Sequence, residues 1–161
     1  MLNKKIALLG AAAIAMVSTG ANAATVSATA KVDIIAPVTL TQTAGLDFGV
    51  VAAAAAAGTV TLTPASDVRV CSVGLSCVGA AQRGAFSVVG ANGFTVGITV
   101  ASTTTLTGAG APMNLALTPS TATVVATGLA QTFYVGGALT VGAAQAAGTY
   151  TGTYNVSANY Q

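Results

Sequence analysis

Cys71 and Cys77 are the two residues of this chain whose type and spacing point to a reaction. In an oxidising compartment such a pair becomes a disulfide, and the intervening stretch contains Gly74, which suits a tight loop. Redox or zinc chemistry would need a C-x-x-C spacing or further ligands, and neither is present. The chain has no His, no Glu and no Trp. General acid–base work would fall to Asp33, Asp47 and Asp67 or to tyrosine, and none of these sits in a recognisable constellation. Ser and Thr are plentiful, but no base is at hand to activate one as a nucleophile. Gly108-Ala-Gly110 has the composition of a phosphate loop. It runs into Pro112 and a strand-like segment rather than a helix N-terminus, so it reads as a turn. Asp47 lacks the neighbouring oxygens of a calcium site. The expectation is a protein that is not an enzyme, with no catalytic, cofactor-binding or metal-binding residues.

The element that places the rest is the N-terminus. Lys4 and Lys5 precede the apolar run Ile6–Val17, and Ala21-Asn-Ala23 supplies the small residues a signal peptidase accepts. The run is too short to span a bilayer as a helix. The expected organisation is a signal peptide over 1–23, an N-terminal extension over 24–36 and one domain over 37–161. The expected route is export, with a periplasmic passage before the cell surface or an extracellular fibre.

Cleavage would also remove the formal charge of +2. Beyond residue 23, Lys31, Arg69 and Arg83 balance Asp33, Asp47 and Asp67. Without a basic patch, nucleic acid is a poor partner. The full chain has a mean hydropathy of +0.78, and a near-neutral, apolar chain dissolves poorly as a free monomer. Packing against copies of itself would relieve that.

Periodicity two dominates. Val26, Ala28, Ala30, Val32 and Ile34 share one face of residues 24–35, and polar residues the other. Pro37 interrupts the pattern, because proline cannot donate to a sheet ladder. The last fourteen residues alternate as well, with Tyr150, Gly152, Tyr154, Val156, Ala158 and Tyr160 on one parity. They predict one strand from Gly148 to the end. Between the termini, strands are predicted over 38–41, 59–63, 68–73, 86–89, 93–100, 103–107, 113–117, 121–126, 132–135 and 138–141. Phe48 anchors a turn over 45–49. The alanines Ala52–Ala57 are too few and uncapped for a stable helix and are predicted as a loop or a single turn. Many short strands with turn signals between them predict an all-β sandwich.

Three places carry a family resemblance. Leu46-Asp-Phe-Gly49, Phe133-Tyr-Val-Gly136 leading to Leu139-Thr-Val141, and Gly148–Tyr154 with its run to Tyr160 resemble the bacterial family known as domain of unknown function 4402. More distantly, the chain resembles subunits of chaperone–usher pili of the archaic, spore-coat-U-like type. That resemblance implies an immunoglobulin-like sandwich lacking one strand, completed by a neighbour's N-terminal extension. It implies copies of itself or related subunits as partners, and a periplasmic chaperone and an usher. It places Gly148 and Tyr160 as the glycine and penultimate aromatic of the C-terminal assembly strand, with Tyr150, Tyr154 and Val156 between them. Val26, Ala28, Ala30, Val32 and Ile34 become the donor face. Cys71 and Cys77 depart from the better-known pilins, whose cystine links the first strands. The function expected is a structural subunit of a pilus or surface fibre. The competing expectations are a self-contained adhesin or binding module using loops 79–84 or 102–110, and an amyloid-like matrix protein.

Overall fold

The computed structural model describes Gly20 and residues 23–161. The expected signal segment otherwise lies outside the described residues. Residues 34–161 form one compact unit. Among the described residues there is no helix, and twelve strands follow one another. These are β1 (Thr39–Ala44), β2 (Val50–Ala52), β3 (Gly58–Leu62), β4 (Arg69–Cys71), β5 (Ser76–Val78), β6 (Gly84–Val89), β7 (Thr95–Val100), β8 (Thr103–Leu106), β9 (Met113–Pro119), β10 (Thr123–Val125), β11 (Gln131–Val141) and β12 (Val156–Tyr160).

The protein is an all-β sandwich, consistent with an immunoglobulin-like fold. One sheet has seven strands and is built around β11. Val135 pairs with Gly84 of β6 and Pro119 of β9, while Leu139 pairs with Val60 of β3 and Leu115 of β9. A strand has two edges, so β9 occupies one and β6 and β3 succeed each other along the other. β1 extends the sheet beyond β6, β4 beyond β3 and β8 beyond β9. The second sheet has the order β10-β7-β12, and a two-stranded sheet joins β2 to β5. All the pairings are antiparallel.

Alternation puts the core where the two sheets face each other. Phe86, Val88, Leu115, Phe133, Val135 and Leu139 of the large sheet bury against Val96 and Ile98 of the small one. The Phe86 and Phe133 rings stack with centroids 5.4 Å apart. Phe48, the expected turn anchor, belongs to this core.

Three expectations are corrected. The segments 132–135 and 138–141 are one strand, β11, which passes straight through Gly136 and Gly137. A Cβ on Gly136 would collide with the Leu62 carbonyl oxygen, so the glycine permits the change of neighbour from β6 to β3. The C-terminal segment is not one strand from Gly148: only β12 forms a ladder, although the predicted parity of its faces holds from Tyr154 to Tyr160. The third concerns β2 and β5, which were not predicted at all; three residues are too few to show a period.

Candidate functional site: a groove between two sheet edges

Within the 34–161 unit, β1 pairs with β6 alone and β12 with β7 alone. No ladder joins β1 to β12, although they are the facing edges of the two sheets. A groove lies between the chain segments that contain them. Its first part holds about 400 Å³ and is walled by Leu40 and Gln42 on one side and by Thr153–Val156 on the other. Its second holds about 1040 Å³ between residues 45–53 and 145–152. Leu106, Met113, Leu115, Leu139 and Val141 floor this second part. Gly152 and Tyr154 line both parts, so the two are continuous.

The backbone along the groove is committed on one side only. Thr151 O accepts the Thr107 N–H at 2.8 Å, Thr153 O accepts the Thr104 hydroxyl at 2.6 Å, and Asn155 O accepts the Ala101 N–H at 2.9 Å. Further on, the Gln161 N–H donates to Thr95 O at 3.0 Å. All four residues are odd-numbered. Backbone groups of an extended chain point alternately to its two edges, so those of Gly152, Tyr154, Val156 and Ala158 face the groove. This is the chemistry of an unpaired strand edge.

Tyr154 and Tyr160 shape the groove segment. The Tyr154 ring meets Phe86 edge-on at 6.2 Å, and its hydroxyl is buried without a hydrogen-bond partner. Desolvation raises its pKa above the ordinary phenolic value. Tyr160 lies edge-on to Phe94 at 5.8 Å. Its hydroxyl donates to Ala36 O at 2.7 Å and accepts the Ala91 N–H at 2.6 Å. Tyr150 donates to Ala146 O at 2.8 Å and is held by Gln145, which turns the chain at the far end of the groove. Gly148 there has φ +155°, and a Cβ on it would crowd Ala109.

The groove is close to electrically neutral. Asp47 is the one ionisable carboxylate in its walls, and its oxygen accepts the Gly49 N–H at 2.7 Å. Arg69 is turned away to the carbonyls of Phe48 and Gly79, binding residues 48–49 to the cystine loop. Arg83 bonds Pro64 O at 2.9 Å, lies 3.6 Å from Asp67 and stacks 3.6 Å above the Tyr134 ring. Cys71 and Cys77 are joined in a disulfide. It closes a local loop and ties β4 to β5.

In the single chain the predicted donor face is turned to solvent. Val26, Val32 and Ile34 are almost fully exposed, and residues 24–36 form no strand. Ala28 and Ala30 are exposed too. The alternation of this segment therefore has no sheet to serve within the described residues. Of the C-terminal residues, Tyr154, Val156 and Tyr160 come together along the groove and its β12 continuation, whereas Gly148 and Tyr150 mark its far end. Sequence reasoning missed the opposite wall, residues 40–53, because its apposition to 145–156 spans a hundred residues and leaves no local pattern. Among the described residues no three potential metal ligands come together, and no helix is long and apolar enough to cross a membrane.

No curated protein and no solved structure gives a match. The family model described as Domain of unknown function (DUF4402) matches residues 38–160, from the start of the groove's first wall to the penultimate Tyr160. With three-quarters of its length inside that match, the chain belongs to the DUF4402 family.

Proposed function

We propose that this protein is an exported structural subunit of a surface fibre, assembled by adding an extended strand from one copy to the groove of the next. The observation that carries the reading is the pair of unpaired edges facing each other across a groove with an apolar floor of Leu106, Met113, Leu115, Leu139 and Val141. A strand laid there gains main-chain hydrogen bonds and buries alternate side chains. The occupant that fits is residues 24–35 of another copy. The groove wall over 145–156 has the same number of residues as that segment, with its extended part running from Thr151 onward. Val26, Val32 and Ile34 would each contribute roughly 1.5–3 kcal/mol if fully buried. Ala28 and Ala30 let the backbone approach closely, and the groove asks for no charge. Head-to-tail addition does not close on itself, so it produces a filament. The resemblance to chaperone–usher subunits supports the same reading and adds a periplasmic chaperone that would cover the groove before assembly.

The test compares adjacent positions on opposite parities. Val32→Asp places an unpaired charge in the groove, a cost of several kcal/mol. Lys31→Asp changes a side chain on the other face. Electron microscopy of exported material should show fibres lost with the first and kept with the second. Equal behaviour of the two would overturn strand addition by this segment.

A further inference from the structure

Several large apolar side chains of the 34–161 unit are left outside the core, and they gather towards two ends. Val50, Val70, Val73 and Val78 surround the cystine, with Val73 fully exposed. Phe94, Val125 and Leu129 are exposed at the other end. β11 sets the separation. Leu129 lies just before its first residue, Gln131, whereas Cys71 pairs with Val60, which pairs with Leu139 near its last. Ten residue steps of strand at about 3.3 Å each separate the two ends of β11.

The two ends differ in their relation to the groove. Val50 lines the groove's large part, so the cystine end stands at one mouth of it. The chain enters the sandwich at the opposite end. Ala36 is held there by Tyr160, whose ring packs on Phe94. Under strand addition, an extension leaving at Ala36 must begin beside the mouth of its neighbour's groove. No side chain from 84 to 161 is charged, so none from that stretch would have to be desolvated when a neighbour covers Phe94 and Leu129.

We infer that the Phe94–Leu129 end of one copy docks on the cystine end of the next, with Val73 and Val50 against Leu129 and Phe94. This rests on the strand-addition reading and extends it: the inserted strand is joined by a second contact, end to end, that sets the polarity of the filament. The contact is heterologous and continuous with the groove mouth at Val50. Two copies meeting by identical ends would instead exchange extensions and close as a dimer.

The test uses the full exported chain as wild type, Val73→Asp, Leu129→Asp and Thr99→Asp. Thr99 is an exposed residue of β7 in the middle of the small sheet. Assembly is followed by sedimentation velocity, and groove function by fluorescence anisotropy of a labelled peptide of residues 24–35. The expected result is that Val73→Asp and Leu129→Asp each raise the concentration needed for assembly by about tenfold or more. Thr99→Asp should assemble like wild type, and below the concentration of assembly, where no neighbour fills the groove, all four should bind the peptide alike. Wild-type assembly by Val73→Asp and Leu129→Asp, with the peptide bound, would overturn the end-to-end contact and leave strand addition standing. A closed dimer as the wild-type species would overturn it as well. Failure of the wild-type protein to bind the peptide would remove the reading beneath it.

Discussion

The hydroxyl of Tyr160 donates to the carbonyl of Ala36 at 2.7 Å, joining the two ends of the folded unit across 124 residues of sequence. The same oxygen accepts the Ala91 N–H at 2.6 Å. One side chain thus fixes the start of the sandwich, the turn after β6 and the end of β12. Tyr160→Phe keeps the ring against Phe94 and removes both bonds. The expected loss is about 2 kcal/mol, seen by calorimetry as a melting temperature lower by roughly 5–10 °C. Tyr160→Ser also loses the buried aromatic area and should reduce the amount of exported protein further.

Tyr154 behaves in the opposite sense. Its hydroxyl is buried without a partner, so Tyr154→Phe should stabilise the fold by about 1 kcal/mol. Its raised pKa also has a sign. The folded state favours the neutral phenol, so this stability is fully present below the unfolded pKa near 10 and is lost as pH rises through the folded pKa. Denaturant midpoints should fall above about pH 10 in the wild type and fall less in the variant. The same titration followed by ultraviolet absorbance should lose a tyrosine ionising above the ordinary phenolic value in Tyr154→Phe.

Removing the cystine should be mild. Cys71 and Cys77 are six positions apart, so the loop it closes is short and its unfolded-state entropy small. The double Cys→Ala variant should lose about 2 kcal/mol and keep its far-ultraviolet circular dichroism. Loss of the β spectrum would show that the cystine organises more than its own loop.

Gly136→Ala should be far more damaging than a methyl group suggests. The added Cβ meets the Leu62 carbonyl oxygen and lies 2.6 Å from the Pro64 nitrogen, both backbone atoms that cannot swing aside. The expected cost is about 3 kcal/mol or more, measured by urea unfolding. Gly45→Ala, with open space around its Cβ, is the control and should cost little.

The sequence made the interior strands legible wherever alternation ran for five or more residues, as at Thr95–Val100 and Met113–Pro119. It misled at Gly136-Gly137, where two glycines read as a break. Their lack of side chains answers to close neighbours on both edges of β11, a tertiary fact invisible to a local pattern. It misled again at Gly148–Asn155, where the residue types alternate but the chain turns and makes only isolated bonds, at Thr151, Thr153 and Asn155, rather than a ladder. Parity reports which face is buried; it does not report whether a neighbour is hydrogen-bonded. For the same reason the segment Val26–Ile34 alternates like a strand without being one here. Both terminal patterns were readable, yet the groove was not, since it arises from the apposition of residues 40–53 with 145–156.

The local closure of the cystine has a mechanical corollary. Among the described residues no disulfide crosses from one sheet to the other, and the short Cys71–Cys77 loop is all that the bond withholds from extension. Pulled from Val38 and Tyr160, the unit can therefore unravel to a contour length on the order of 400 Å. A chain of such units would lengthen many-fold under load before any covalent bond bore the strain. It would act as a shock absorber whose extension depends on the redox state of its surroundings only through that short loop.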